Sequence, residues 1–318
     1  MIITCESVSP RHPDKLCDQI SDAILDECLM GDRDSRVAVE TMGGHGIITV
    51  TGEITTTAFV DIKKIVNRIV PNMGVQVNLV TQSPEIAQGV DTGGAGDQGV
   101  MIGYACDETK ELMPIEVIMA RSLCQAIYKE HPYDGKTQVT VDLSTKKKKV
   151  LAVVASFCNV SKGKLEKFVE IWKIRWMIDY PIDVYLNPAG DWNQGGFDAD
   201  TGVTGRKIVI DSYGPRVPIG GGAFSGKDPS KVDRSGAYMA RKLAVNFLKE
   251  HKAHEVYCYL SFAIGKKDAI QSTVIIDGKE EKLDMVKVND MIEVLDLKRP
   301  IYEKTAQWGH FGQGFSWG

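Results

Sequence analysis

Residues 2–29, IITCESVSPRHPDKLCDQISDAILDECL, decide the reading of the fold. Ile2 to Val8 is a short apolar stretch that predicts a strand. From about Pro13 to Leu29, the residues Leu16, Ile20, Ile24 and Cys28 recur every four positions. That spacing predicts a helix with one apolar face. A hairpin follows, with arms at Arg36 to Thr41 and Ile47 to Glu53 and a glycine turn from Gly43 to Gly46. A second helix over about Thr57 to Ile69 stops before Pro71, and Val75 to Val80 closes the unit as a strand.

The same order recurs. Val100 to Ala105 predicts a strand and Pro114 to Lys129 a helix with proline in its first turn. Gln138 to Leu143 and Val150 to Phe157 form a hairpin around a lysine run, Leu165 to Met177 a helix, and Asp183 to Leu186 a strand. A third round gives a strand at Lys207 to Tyr213, a helix at Val232 to Lys249, a hairpin within Val256 to Ile276 and a helix at Met285 to Leu295. Its closing strand is missing or replaced by the tail. Three strand-helix-strand-strand-helix-strand units make an α+β protein. The units are expected at residues 1–93, 94–195 and 196–318. Each would cover one sheet face with its helices and bury the other against a neighbour or a second subunit.

The totals limit the classes of function. The chain has 318 residues, 43% hydrophobic and 25% charged, with a net charge of -4. This is a globular composition without the basic excess of a nucleic-acid binder. The lysine run from Lys146 to Lys149 reads as a solvated hairpin tip. Seven cysteines without a Cys-x-x-Cys pair predict reduced thiols in a cytoplasmic protein. No signal peptide or membrane-spanning stretch is expected.

Chemistry-bearing residues gather at the joints between units. In Glu6 to Lys15, His12 and Asp14 lie where a strand gives way to a helix, a place that favours anions. His12 is suited to a phosphate and Asp14 to Mg²⁺. Taken alone, the string reads first as a helix start capped by Ser9 or Asp14. Gly94 to Gly99 matches Gly-x-Gly-x-x-Gly, but a strand follows where a dinucleotide site needs a helix. Gly221 to Asp228 nearly matches a P-loop, but Asp228 stands where a hydroxyl should bind Mg²⁺ and the next helix starts late. Successive glycine N–H groups with Lys227, Lys231 and Asp233 remain suited to a polyphosphate with its metal. Lys136, Arg206 and Lys207 add cations at strand starts; Asp97 and Asp200 add acids.

These strings resemble the S-adenosylmethionine synthetase family, also called methionine adenosyltransferases. The resemblance runs from end to end. It is carried by Glu6 to Lys15, Gly52 to Thr56, Gln88 to Asp91, Gly94 to Gly99, Thr204 to Lys207, Gly220 to Asp228, Ser230 to Ser235, Arg299 to Tyr302 and Gly309 to Gly312. It implies three similar units about a pseudo-threefold axis. It also implies that ATP, L-methionine and water become S-adenosylmethionine, phosphate and diphosphate. The methionine sulfur would attack C5′ of ATP, and the triphosphate would then be hydrolysed in the same site. His12, Lys136, Arg206, Lys207 and Lys227 would hold the triphosphate. Asp134, Asp191, Trp192, Asp200 and Ala223 would also contact ATP, with Trp192 where the family usually stacks a phenylalanine near the adenine. Glu53, Gln88, Asp97, Asp200 and Lys231 would contact methionine. Asp14 and Asp233 would hold Mg²⁺, two ions per site, and Glu40 K⁺. The family builds its site between two subunits, so a homodimer is implied.

The chain is shorter than a typical member. Asn67 to Val80 replaces a longer segment, and the loop between Asp91 and Gly94, part of the family's lid, is cut. Ile219 sits where histidine is common. Trimmed outer hairpins predict a dimer in place of a tetramer. Two other readings compete: an ATP-dependent kinase or ligase using the glycine-lysine loop, and a non-catalytic regulatory subunit. Asp228 and the late helix oppose the first. The compatible residue at every catalytic position opposes the second.

Overall fold

The protein is described here from a computed structural model, which covers residues 1–83, 93–144 and 147–318. The first round of elements follows the sequence closely. β1 (Ile2–Val8) leads into α1 (Pro13–Gly31), the hairpin of β2 (Arg36–Gly44) and β3 (Ile47–Thr55), then α2 (Ile62–Ile69) and β4 (Gly74–Val80). α2 starts later than the sequence predicts because Asp61 caps it, its side chain accepting from the Lys64 N–H. The second round is β5 (Gly99–Cys106), α3 (Ile115–Glu130), β6 (Gly135–Asp142), β7 (Lys149–Phe157), α4 (Lys162–Arg175) and β8 (Asp183–Leu186). The third comprises β9 (Gly202–Val203), α5 (Ile208–Asp211), α6 (Val232–His251), β10 (Glu255–Phe262), β11 (Gln271–Ile276), β12 (Lys279–Lys282), α7 (Val288–Val294) and α8 (Thr305–Trp308).

Among the described residues three four-stranded sheets result, in the orders β1-β6-β7-β8, β12-β11-β10-β5 and β4-β3-β2-β9. Their composition is not what a reading of separate units implies. β1 pairs with the hairpin of the second round, β5 with that of the third, and β9 with that of the first. The long helix after each leading strand stays home: α1 packs on β2, α3 on β6 and α6 on β10. Each round thus hands its first strand to the next sheet and covers its own, and the exchange closes on itself.

One expectation for the third round is corrected. The strand at Lys207 to Tyr213 is instead the single helical turn α5, with Asp211 N–H bonded to the Lys207 carbonyl at 2.9 Å and Ser212 N–H to that of Ile208 at 3.0 Å. Asp211 is buried, and Lys15 of α1 binds both its oxygens at 2.7 Å, which outweighs the β-branched run Ile208 to Ile210. The leading strand is the two-residue β9, with Val203 opposite Met42. In the first two sheets the closing strand lies parallel, β4 beside β3 and β8 beside β7. In the third, no strand follows α7 among the described residues, as the sequence predicts, and the fourth strand is β12, antiparallel to β11.

A large apolar core joins α1 and α6 to the two sheets that hold β2 and β10, and a second fills the space under α3 and α4. α1 is central: Pro13 to Leu25 are buried without a break. The opposite face of the first hairpin is open, where Met42 is 51% and Ile47 44% exposed. Among the described residues no helix is long and apolar enough to cross a membrane.

Candidate active site

The β1–β6 register places Val8 opposite Lys136, and the next N–H, of Ser9, bonds to the Gly135 carbonyl at 2.9 Å. Lys136 therefore leaves the sheet beside the turn that carries His12. His12 is the N-cap of α1, and its Nδ1 accepts the Asp14 N–H at 3.1 Å. An acceptor at Nδ1 puts the ring proton of neutral His12 on Nε2. Burial, then the ammonium groups of Lys207 and Lys136, push the His12 pKa down to about 3, so the ring is a neutral donor near neutral pH.

Asp14 is 1% exposed. Its Oδ1 accepts the Val203 N–H at 2.9 Å and its Oδ2 meets the Lys207 ammonium at 2.5 Å, with Arg206 Nε 3.7 Å from Oδ1. Burial alone would raise this carboxyl, but the Lys207 and Val203 hydrogen bonds outweigh it and hold the pKa below its usual value. Asp200 is close enough to act on the charge of His12. Asp134, raised by burial, accepts the Gly196 N–H at 2.9 Å. One region thus brings together His12, Asp14, Asp134, Lys136, Asp200, Arg206 and Lys207.

A second group lies around the glycine-lysine segment. Glu40, Glu53, Ala223 and Lys227 line a cavity of about 290 Å³, with Ala38 and Thr204 among its other walls. Lys227 pairs its backbone with Ala38 of β2 and its ammonium with Asp233. A β-carbon on Gly205, the neighbour of Arg206, would come within 2.5 Å of the Ala223 Cβ, so the two groups adjoin. Glu40 and Glu53 project from the open face of the β2–β3 hairpin, on which Ala38 lies opposite Glu53 and Glu40 opposite Thr51.

Other predicted residues sit differently. Lys231 is buried, its ammonium 2.8 Å from Asp228, whose carboxylate also accepts the Val37 N–H at 2.7 Å. Asp228 thus staples the loop to β2. Asp191 accepts from Lys162 N–H at 3.0 Å and Asn187 Nδ2 at 2.9 Å, bracing the start of α4. The indole N–H of Trp192, on the same loop, is buried and has no hydrogen-bond partner among the described residues. Asp97 is exposed and takes its neighbour Gln98 N–H at 2.7 Å. Gln88 and Lys146 lie outside the described residues, as does Asp91 at the edge of the shortened loop.

One feature was missed from sequence. Asp18 and Asp22 of α1, with Lys15, Asp211 and Arg234, form buried ion pairs and backbone contacts to the cationic loops. Its signal is the four-residue spacing of aspartates from Asp14 to Asp26, a pattern that the acids of a solvated helix face also show.

Comparison with known proteins matches the whole length. Residues 1–91, 92–192 and 194–318 match the family models described as S-adenosylmethionine synthetase N-terminal, central and C-terminal domains. The S-adenosylmethionine synthase of Bifidobacterium adolescentis is 41% identical over 384 aligned positions, covering 99% of this chain and 95% of that protein. That of a Nocardioides species is 40% identical over 378 positions with the same coverage. Both alignments exceed the 318 residues here, so the relatives carry extra segments.

Proposed function

The chain belongs to the S-adenosylmethionine synthetase family, and from that premise we propose how its residues make S-adenosylmethionine from ATP and methionine. The protein is a methionine adenosyltransferase. The observation that carries the mechanism is a pair of ion pairs, Asp14 with Lys207 and Asp233 with Lys227. Each couples a carboxylate assigned to Mg²⁺ with a lysine assigned to the triphosphate. The lysines would bind phosphate oxygens, and the carboxylates would hold the metal.

The donors fit Mg²⁺, which takes one or two carboxylates, water and substrate oxygens in place of an all-protein cage. Asp14 and Asp233 would hold it, two ions per site, and it would offset charge on the phosphates. Glu40, an exposed carboxylate at the cavity mouth, would hold K⁺.

The methionine sulfur is a neutral nucleophile and needs no general base. It attacks C5′, the C5′–O bond breaks, and the electron pair leaves on the triphosphate oxygen. The required work is charge stabilisation at that oxygen. His12 is built for it: neutral, with its proton on Nε2 and its ring fixed by the Asp14 N–H. Lys136, Arg206, Lys207 and Lys227 carry the remaining charge. Water then divides the triphosphate into phosphate and diphosphate. Trp192, whose N–H has no hydrogen-bond partner among the described residues, together with Asp134, Asp191, Asp200 and Ala223, would meet the nucleoside. Glu53, Gln88, Asp97, Asp200 and Lys231 would meet methionine.

The cyclic strand exchange supports three units at residues 1–93, 94–195 and 196–318 related by a pseudo-threefold axis. The open sheet face beside Glu40 and Glu53, with exposed Met42 and Ile47, supports a homodimer that completes the site. Seven unbridged, buried cysteines support a reducing, cytoplasmic setting. Inorganic tripolyphosphate tests the triphosphate subsite directly. With Mg²⁺ the protein should hydrolyse it, and Lys207→Ala and Lys227→Ala should each slow this about 100-fold. Full hydrolysis by both variants would overturn the assignment.

A further inference from the structure

Residues 14, 18, 22 and 26 of α1 are all aspartate, so one row of carboxylates runs along the helix. Each accepts a backbone N–H from a later segment: Asp14 from Val203 at 2.9 Å, Asp18 from Gly205 at 2.8 Å, Asp22 from Gly226 at 2.8 Å, and Asp26 from Tyr302 and Glu303, both at 2.9 Å. The two middle members are sealed from solvent, and each has a buried cation. Lys15 lies 3.0 Å from Asp18, and Arg234 2.7 Å from Asp22.

Both contacts fall immediately before the cations of the site. Gly205 precedes Arg206 and Lys207, and Gly226 precedes Lys227. The second loop is gripped on both sides, since Arg234 Nη1 donates to the Lys227 carbonyl at 3.0 Å while its Nη2 holds Asp22. Gly226 adopts φ +80°, and a β-carbon there would lie 1.9 Å from the Val39 carbonyl oxygen. That bend brings its N–H onto Asp22 and its carbonyl onto the Val39 N–H at 2.9 Å. The first loop is held likewise, because Lys15 binds Asp211 and the Asp211 N–H bonds to the Lys207 carbonyl.

A buried ion pair adds little net stability over apolar groups of similar size. A loop N–H aimed into a fixed carboxylate does restrict where the next side chain sits, and a site that stabilises charge needs that restriction. We infer that Lys15, Asp18 and Asp22 of α1, with Arg234 of α6, are positioning residues that fix Lys207 and Lys227. This rests on the assignment of those lysines to the triphosphate.

The test compares two double variants of the full-length enzyme. Asp22→Leu/Arg234→Met removes the acceptor and the pair together; Asp22→Asn/Arg234→Met keeps an acceptor for the Gly226 N–H. Both should unfold within a few degrees of the parent. The first should lose about 100-fold in kcat for S-adenosylmethionine formation and in tripolyphosphate hydrolysis, and the second should recover at least about tenfold of that loss. Asp18→Leu, in which Lys15 keeps Asp211, tests the other contact by the same readouts if the first pair does not fold. A folded Leu/Met variant with parental kcat, or equal loss in both double variants, overturns the positioning role. Lys227→Ala serves as control. If it leaves both activities intact, the triphosphate assignment itself fails, and the inference with it.

Discussion

The Lys227 ammonium rests against the Asp233 carboxylate, and the Asp14–Lys207 contact repeats the arrangement at 2.5 Å on the neighbouring loop. Each carboxylate assigned to Mg²⁺ therefore lies beside a lysine assigned to the triphosphate. Asp14 and Asp233 would hold Mg²⁺ next to the phosphates that Lys207 and Lys227 would bind. Asp233→Asn should raise the Mg²⁺ concentration giving half-maximal activity roughly tenfold or more, about 1.4 kcal/mol. A magnesium titration at saturating ATP and methionine checks this, and an unshifted midpoint would remove Asp233 from the metal site.

His12 is set to donate from Nε2 and is too buried to be charged near neutral pH. His12→Asn should lower kcat for S-adenosylmethionine about 100-fold while ATP affinity changes little. Single-turnover kinetics with a separate ATP-binding measurement would show it. Unchanged turnover would sink the role.

Gly103 of β5 faces the backbone of α6, where a β-carbon would lie 2.0 Å from the Ala240 carbonyl carbon. Backbone cannot swing aside, so Gly103→Ala must push the helix off its sheet. A loss of about 2–3 kcal/mol is expected, read as a lowered denaturation midpoint with the site residues untouched. A midpoint equal to the parent's would mean that the helix sits farther from the sheet.

Burial pushes the Asp26 carboxyl up to about 6, against the opposing N–H bonds of Glu303 and Tyr302. Its folded pKa therefore lies above the unfolded value, and the folded state holds the proton more tightly. Between about pH 4 and 6 the folded state binds more protons than the unfolded one, so this group's contribution to stability falls as pH rises. Asp26→Asn keeps an acceptor and cannot ionise. Its advantage over the parent should grow across that window to at most about 3 kcal/mol. Parallel stability–pH curves for the two proteins would contradict the shift.

Much of the fold was legible because α1 announces itself twice, through the four-residue recurrence of Leu16, Ile20, Ile24 and Cys28 and through Pro13 at its start. β1 and β8 carry the bounds that the sequence predicts. α5 was misread because Ile208, Val209 and Ile210 are β-branched and too few to show a period; the buried Lys15–Asp211 contact decides that turn. The exchange of leading strands was invisible because alternation reveals a strand but not its partner. Within the site, His12, Asp14 and Lys207 were found by their joints and motif, and the structure brings them together. The aspartate row went unread because four-residue spacing of acids is shared by any solvated helix, and only burial distinguishes the two.

The open face of the β2–β3 hairpin should be covered by a second copy. Sedimentation should give twice the chain mass of 35.0 kDa, and Met42→Glu should shift it towards monomer and remove activity together. A tetramer at micromolar concentration would contradict the dimer, and an active monomer would contradict the shared site.

The central claim is the reaction. Incubation with ATP, L-methionine, Mg²⁺ and K⁺, followed by mass spectrometry of the nucleoside product and assay of phosphate and diphosphate, tests it most directly. The account predicts S-adenosylmethionine, phosphate and diphosphate in equal amounts. Phosphate released without S-adenosylmethionine would contradict it and leave a polyphosphatase.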